Sequence, residues 1–401
     1  MTSKQAAENI IRKLNLNGHQ ALLAGGCVRD MLLGKEAKDY DVATDALPEE
    51  IIKLFRRTLP VGAKFGVIIV LLKGCQIEVA TFRTESGYAD GRHPEHVEYS
   101  NAKEDAARRD FTINGMFYNP LEGKLYDYVG GKQDLEAEIV RTIGNADERF
   151  GEDYLRMLRA IRFSGQLDFT IEKHTWEAVC RLAPNITKIS GERISMEVQS
   201  ALTHPNRHIA AALLDKSGLC KAIFPGFEGQ SCNQGINVLR NLPDKCKYML
   251  ALAAFFACVE TDFALKKSNV LMLSNAQQKK LRFLLDNRGR LLDDEMPLAD
   301  LKILLASGYF DALFCLQKAI EMSSANSLES LETIKKRKEA LADVDITPKP
   351  LLDGNELLEL GVKPGPSVGK ASREMYYAQL NEELNSRQQA VDWIKQWLSR
   401  Q

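Results

Sequence analysis

Residues 21–44 read ALLAGGCVRDMLLGKEAKDYDVAT, and three short patterns inside them decide the fold class. ALLA (21–24) has the length and apolarity of a short buried strand. GGCVRDMLLG (25–34) reads as a glycine turn opening a short helix, which Gly34 ends because glycine readily takes the left-handed conformation a helix terminus needs. DYDVA (39–43) reads as a second strand. Side chains alternate along a strand, so Asp39 and Asp41 point one way and Tyr40 the other. Two like charges side by side repel unless a cation bridges them, and Mg²⁺ takes one or two carboxylates together with substrate phosphates. The same pattern also suits a strand that merely ends in solvent. The glycines upstream shift the balance. Lacking a Cβ, Gly25 and Gly26 let backbone N–H groups approach an anion at the helix start, and Arg29, one turn in, reaches the same phosphates. A lone glycine pair is also an ordinary tight turn. A phosphate cradle and a carboxylate pair on adjacent strands are together the parts that phosphoryl transfer needs.

Working outward, MTSKQAAENIIRKLNLNG (1–18) reads as a short amphipathic helix without the apolar run of a signal peptide. PEEIIKLFRR (48–57) reads as a helix, and VIIVLL (67–72) with CQIEVATF (75–82) as a hairpin turned by Lys73-Gly74. Glu78 lies on the opposite strand face from Ile77 and Val79, so it either meets solvent or joins the carboxylate pair. SGYADGRHPEHVEYS (86–100) reads as a mobile loop. From about residue 101 the periodicity is helical, and the change of character near 115–145 marks a domain boundary.

Two later stretches carry chemistry. In RRDFTIN (108–114), Arg108, Arg109, Asp110 and Asn114 offer donors and acceptors suited to a triphosphate and a ribose hydroxyl. A solvated helix start capped by Asp110 or Thr112 explains them equally. In EDYLRMLRAIR (152–162), Tyr154, Met157, Leu158 and Ile161 form a core stripe, while Glu152, Arg156 and Arg159 share another face. One reading makes these charges intrahelical ion pairs. The other has Asp153 and Arg156 presenting an acceptor and a donor to a nucleobase edge, with Arg159 and Arg162 near phosphate. Spacing alone favours the ion pairs.

Composition sets the limits. The 401 residues are 45% hydrophobic and 27% charged, which implies two or three globular domains and excludes wholesale disorder. Lys plus Arg number 53 against 54 Asp plus Glu, so any RNA binding must come from a local groove rather than a global field. The 8 cysteines form no CxxC pair, which argues against a zinc ribbon or a thioredoxin-type site. No apolar run reaches membrane-spanning length, and a soluble, cytoplasmic protein is expected.

LAGGCVRDMLLG, DYDVAT, ARRDFTING, DYVGGKQDL, GEDYLRMLRAIRF and SGERISMEV resemble, in order and spacing, motifs A to E of the class II tRNA nucleotidyltransferases. These are the bacterial CCA-adding enzymes, which share their head with bacterial poly(A) polymerases. The likeness covers about residues 20–200, and LLDGNELLELGVKPGPSVGK (351–370) resembles the family's RNA-binding tail. It implies an α+β fold: a polymerase-β-like nucleotidyltransferase head (1–145), then an all-α neck for base recognition (146–215), a helical body (216–340) and a tRNA-binding helical tail (341–401). It assigns Asp39 and Asp41 to the catalytic Mg²⁺ ions and Gly25, Gly26 and Arg29 to the triphosphate. Arg109 and Asp110 match positions on the nucleotide's sugar and phosphate side. Asp153 and Arg156 match an amino-acid template for the incoming base, and Arg159 and Arg162 line the same pocket. Asp127, Gly130 and Gly131 fall in a hinge-like motif, and Glu78 is a candidate third carboxylate.

The implied reaction is template-independent addition of CCA to the 3′ end of tRNA from CTP and ATP, with pyrophosphate released. The partner implied is the tRNA acceptor arm, with no protein partner and no membrane. A-only addition and poly(A) addition are the alternatives within the family. CC-only addition is disfavoured because the segment RTESGYADGRHPEHVEY (83–99) is full length. No His-Asp pair suggests an added phosphohydrolase. From another class, a catalytically dead RNA-binding protein is disfavoured by the intact Asp39, Asp41, Arg109, Asp153 and Arg156.

Overall fold

Gly25 and Gly34, the two glycines expected to bracket the first motif helix, both take positive φ, at 73° and 68°. The computed structural model describes residues 1–62, 65–86 and 96–400. They form two compact units, Met1–Gln230 with Lys267–Met272 and Ser231–Lys266 with Leu273–Gln401.

The first unit opens with helix α1 (Ser3–Leu16), where Thr2 and Gln5 cap each other and Ala6, Ala7, Ile10, Ile11 and Leu14 are buried. Strand β1 (Ala21–Ala24) is buried along its length. It runs into α2 (Gly26–Leu32), and β2 (Asp41–Thr44) and α3 (Pro48–Leu54) follow. Strands β3 (Thr58–Gly62), β4 (Val67–Leu72) and β5 (Cys75–Thr81) come next. Lys73 and Gly74 turn the β4–β5 hairpin with φ of 47° and 86°, the left-handed pair that matches strand twist.

Strands β6 (Arg83–Ser86) and β7 (His96–Tyr99) pair antiparallel. The segment expected to be a mobile loop therefore supplies a strand at each end. Gly87, Gly91, Arg92, His93 and Pro94 lie outside the described residues. Helix α4 (Ala102–Ala107) follows, capped by Asn101, and then β8 (Phe117–Asn119) and β9 (Lys124–Tyr126). Six helices complete the portion that matters for function: α5 (Gly131–Glu136), α6 (Ala146–Glu152), α7 (Leu155–Leu167), α8 (Lys173–Leu182), α9 (Gly191–Leu202) and α10 (Arg207–Lys216).

The main sheet has seven strands in the order β3-β4-β5-β2-β1-β8-β9. Three of them, β3, β8 and β9, depart from the sequence expectation. They are 5, 3 and 3 residues long, too short for alternation to show, and Pro60 interrupts the first. The strand-rich region thus extends past residue 101. Strand β2 also begins later than expected, at Asp41, so Asp39 and Tyr40 sit in the irregular chain leading into it.

The second unit is helical. Tyr248–Phe255 is buried at all 8 positions, and Leu352, Leu357, Val362, Met375, Ile394 and Trp397 belong to a separate core nearer the C-terminus. Among the described residues no single helix is long and apolar enough to cross a membrane.

Gly131 makes a close approach in the first unit. A Cβ there would lie 2.2 Å from the Thr112 carbonyl oxygen and 2.8 Å from Met116 Cγ. Backbone oxygen cannot move aside as a side chain can. Gly131→Ala is expected to destabilise the fold by about 1–3 kcal/mol, the usual cost of overpacking, as measured by denaturant unfolding.

Candidate active site

A cavity of about 1010 Å³ opens in the first unit. Its walls come from the 25–41 segment, the residues that follow α4, and helices α7 and α9. The residues matched from sequence to metal, triphosphate, sugar and base lie in this wall, namely Gly25, Gly26, Arg29, Asp39, Asp41, Arg109, Asp110, Asp153, Arg156, Arg159 and Arg162, whereas Glu78, the candidate third carboxylate, is not among its lining residues.

The glycine turn is built for close approach. Gly25 precedes α2 with φ 73° and ψ −132°, and a Cβ there would sit 3.1 Å from Arg109 Nη1. Arg29 donates to Asp30 at 2.9 and 2.6 Å and to Asn114 Oδ1 at 2.8 Å. Asn114 in turn donates to Asp110 Oδ1 at 3.4 Å. Arg109 is anchored from below, where it donates to Asp105 Oδ2 at 3.1 and 3.0 Å and stacks 4.8 Å from the Phe117 ring. Arg108 takes the other oxygen of the same carboxylate at 2.8 and 2.6 Å. Asp105 is 1% exposed. Burial alone would raise its pKa, but Arg109 and Arg108 more than offset this and hold it below the usual carboxylate range. Sequence reading missed Asp105. Its signal was an acid three and four residues ahead of two arginines, the spacing of helical ion pairs.

The carboxylate pair is differently placed from the expectation but not dispersed. Parallel pairing of Val42 with Val79 sets Glu78 beside Asp41 on the same face of the sheet. Asp39, Asp41 and Glu78 form no ion pair among the described residues. Asp41 is open to the cavity's solvent yet surrounded by protein on its other sides. That partial loss of hydration, with the charge of Glu78, raises its carboxyl to about 6. Asp41 also feels the negative charge of Asp39 and the opposing positive charge of Arg109, and neighbouring carboxylates of this kind are oxygen donors that suit a hard divalent ion. Nearby Cys27 is pushed up to about 11 by burial, which keeps its thiol protonated and inert.

Across the cavity, the helical period read over residues 152–162 is interrupted, and Asp153 and Arg156 do not share one helix. Asp153 occupies the break between α6 and α7 with φ −153° and ψ 103°. Its carboxylate accepts the Leu155 N–H at 3.1 Å, which starts the second helix. It also receives Arg193 of α9 at 3.1 and 2.6 Å. Arg156 pairs with Glu152, as helical spacing suggested, and donates to the Arg149 carbonyl at 2.8 Å. Asp153 and Arg156 are thus held by separate partners while lining one cavity.

Arg159 donates to Asp110 at 2.8 and 2.6 Å and lies 3.5 Å from Glu197, which receives Arg162 at 2.6 Å. Burial would raise the Asp110 carboxyl; Arg159 overrides it and holds the group low. Arg29, Arg159 and Arg162 all lie within 5.2 Å of the Phe163 ring centre. Arg193, Glu197 and Phe163 were not singled out from sequence. The i,i+4 spacing of Arg193 and Glu197 was a usable signal for two of them.

Known proteins show the same arrangement of sequence and fold. The family described as poly A polymerase head domain matches residues 21–141, and the probable RNA and SrmB-binding site of polymerase A matches residues 168–230. The CCA-adding enzyme of Lactobacillus johnsonii is 32% identical over 394 residues, covering 96% of this chain and 95% of that protein. The chain belongs to the CCA-adding enzyme family. The CCA-adding enzyme of Geobacillus thermodenitrificans is 44% identical over 224 residues, a match that spans 55% of that protein's length and 56% of this chain. Among solved structures, the Bacillus stearothermophilus CCA-adding enzyme in complex with CTP superposes with a TM-score of 0.83 at 28% identity, covering 100% of this chain and 98% of that one.

Removing the buried carboxylate that anchors two cavity arginines tests the construction of this site. Asp105→Ala is expected to cost roughly 3–5 kcal/mol, because it strands charges whose partner was buried. Nucleoside triphosphate affinity should fall with it, since Arg109 loses its orientation. Urea unfolding and equilibrium nucleotide binding at a temperature where the variant stays folded check the two effects.

Proposed function

We propose that this protein adds CCA to the 3′ end of tRNA in the cytoplasm, using CTP and ATP and no nucleic-acid template. The observation that carries the reading is one cavity holding unpaired carboxylates and a glycine turn on one wall and Asp153 with Arg156 on the other. Membership of the CCA-adding enzyme family supports it, as does the likeness to a relative solved with CTP.

In this reading residues 1–145 form the catalytic head, 146–215 the base-recognition neck, 216–340 the body and 341–401 a tRNA-binding tail. The terminal 3′-hydroxyl attacks the α-phosphorus, and the bond to pyrophosphate breaks. Asp39 and Asp41, with Glu78 beside them, would hold Mg²⁺, which neutralises developing charge and favours loss of the hydroxyl proton. The backbone at Gly25 and Gly26, with Arg29 and Arg109, takes the negative charge of the triphosphate. Asp110 faces the sugar, positioned by Arg159, while Arg162 shares the wall. Because each arginine is already tied to a carboxylate, its donors are oriented before the nucleotide arrives, and little reorganisation is left for the reaction.

Base choice follows from hydrogen-bond polarity. Cytosine and adenine each present an amino donor beside a ring-nitrogen acceptor. Asp153 accepts from the first and Arg156 donates to the second. Uracil and guanine reverse that order and set a carbonyl against the Asp153 carboxylate. Arg193 and Glu152 orient the two reading groups from behind.

Three tRNA substrates test the reading: one lacking CCA, one lacking only the terminal A, and one complete. The first two should be extended to CCA and the third left unchanged. An enzyme that extends only the second adds A alone. Asp39→Ala or Asp41→Ala should reduce CMP and AMP incorporation alike by several kcal/mol of barrier, roughly a thousandfold or more, while tRNA affinity survives. Asp153→Ala and Arg156→Ala should relax rejection of UTP and GTP by about ten- to a hundredfold in kcat/KM, with smaller effects on triphosphate binding. Unchanged selectivity for C and A would remove these two residues from base choice.

A further inference from the structure

One end of the cavity is not accounted for by an incoming nucleotide. The site-lining face of α7 runs from Arg156, near the base-reading end, to Gln166, ten residues on and about 15 Å away at the helical rise. At about 1010 Å³ the space reaches the top of the range of about 300–1,000 Å³ that single small ligands occupy. At the Gln166 end the wall holds Ser200 and, just past α9, His204, with Lys35 and Lys38 near enough for their charges to bear on His204. Gln166 donates to Ser200 at 3.1 and 3.2 Å and so ties α7 to α9 there.

The charges at this end differ in kind from the rest of the cavity. Arg29, Arg108, Arg109, Arg156, Arg159, Arg162 and Arg193 are each paired with a carboxylate. Lys35 and Lys38 are exposed, line the same cavity and make no ion pair among the described residues. His204 Nδ1 accepts the Asn206 N–H at 3.2 Å, so the neutral ring carries its hydrogen on Nε2 as a donor. Burial keeps the imidazole neutral, helped by Arg207, Lys35 and Lys38, whose positive charges all bear on it. Glu36, the carboxylate of this stretch, makes no ion pair among the described residues. Lys38 also directly precedes Asp39, so these cations adjoin the carboxylates at which an attacking hydroxyl must arrive.

We infer that Lys35, Lys38 and His204 seat a phosphodiester of the RNA strand being extended, holding its 3′-terminal hydroxyl toward Asp39 and Asp41. This rests on the proposed extension of a tRNA 3′ end and adds the residues that position the acceptor. A strand entering there has its backbone met by two uncompensated ammonium groups and one neutral N–H donor. The triphosphate keeps the paired arginines and the glycine turn. The three are positioning residues, since none is placed to touch the reacting phosphorus.

The test measures dissociation constants of a tRNA lacking CCA over a range of KCl concentrations, and of CTP, for the wild type and its variants. The Lys35→Ala/Lys38→Ala double variant should lower the salt slope by about 0.7, the value of one phosphate contact on a single strand. It should leave CTP affinity within about twofold, because the triphosphate is held by other groups. His204→Phe should raise KM for tRNA, and His204→Gln, which keeps an N–H donor, should restore it. An unchanged salt slope overturns the inference. So does weakened CTP binding with tRNA binding intact, which would assign the lysines to the triphosphate. A wild-type chain that neither binds nor extends the tRNA overturns the functional reading and this inference with it. Wild-type extension with indifferent variants overturns the inference alone.

Discussion

The Asp110 carboxylate, gripped by Arg159 through two hydrogen bonds, joins the residues that follow α4 to helix α7, and the cavity exists because those two walls are held to each other. From this bond a chain of alternating partners runs both ways. Toward the glycine turn it passes through Asn114 to Arg29 and Asp30. Toward α9 it passes from Arg159 to Glu197 and Arg162. The charged members are partly withdrawn from bulk water, so each leans on its neighbours for compensation. Hydrogen bonds in such a low-dielectric row also strengthen one another. The row therefore sets the cavity's width and its donor directions at the same time.

The electrostatic character of the site follows from which charges were left outside such pairs. The arginines enter the cavity already compensated, so they offer directed N–H groups more than net positive charge. The carboxylates at Asp39, Asp41 and Glu78 do the opposite. Burial, and then the charge of Glu78 across the parallel β2–β5 register, raise the carboxyl of Asp41. A protein keeps such repulsion only where something else relieves it, and a divalent cation relieves it with the same oxygen atoms.

Much of this was readable from the chain because local rules act over a few residues. The Gly25 and Gly34 brackets, the Lys73-Gly74 turn and the buried stripe of Met157, Leu158 and Ile161 all rest on backbone preference or helical period. What escaped was set by contacts between distant segments. Strands β8 and β9 are stable only because β1 pairs with the first of them, and no three-residue run announces that. Helical spacing correctly pointed to Glu152 with Arg156, but it concealed the break at Asp153. Arg193, 40 residues further along the chain, supplies the charged partner that holds Asp153. Asp105 was hidden for a related reason, since a buried acid looks like a surface one until the arginines fold over it.

The row from Arg29 to Arg162 also bears on how this family can change. Its members sit on α2, in the turn after α4, and on α7 and α9, elements far apart in the chain, yet each one's environment is another's side chain. Substitutions at sites in contact do not combine additively. An altered residue at one station is thus tolerated or not according to which residues already stand at the others. Substitutions within the row are therefore expected to condition one another, whereas Lys35 and Lys38, which make no ion pair with it among the described residues, stand outside that coupling.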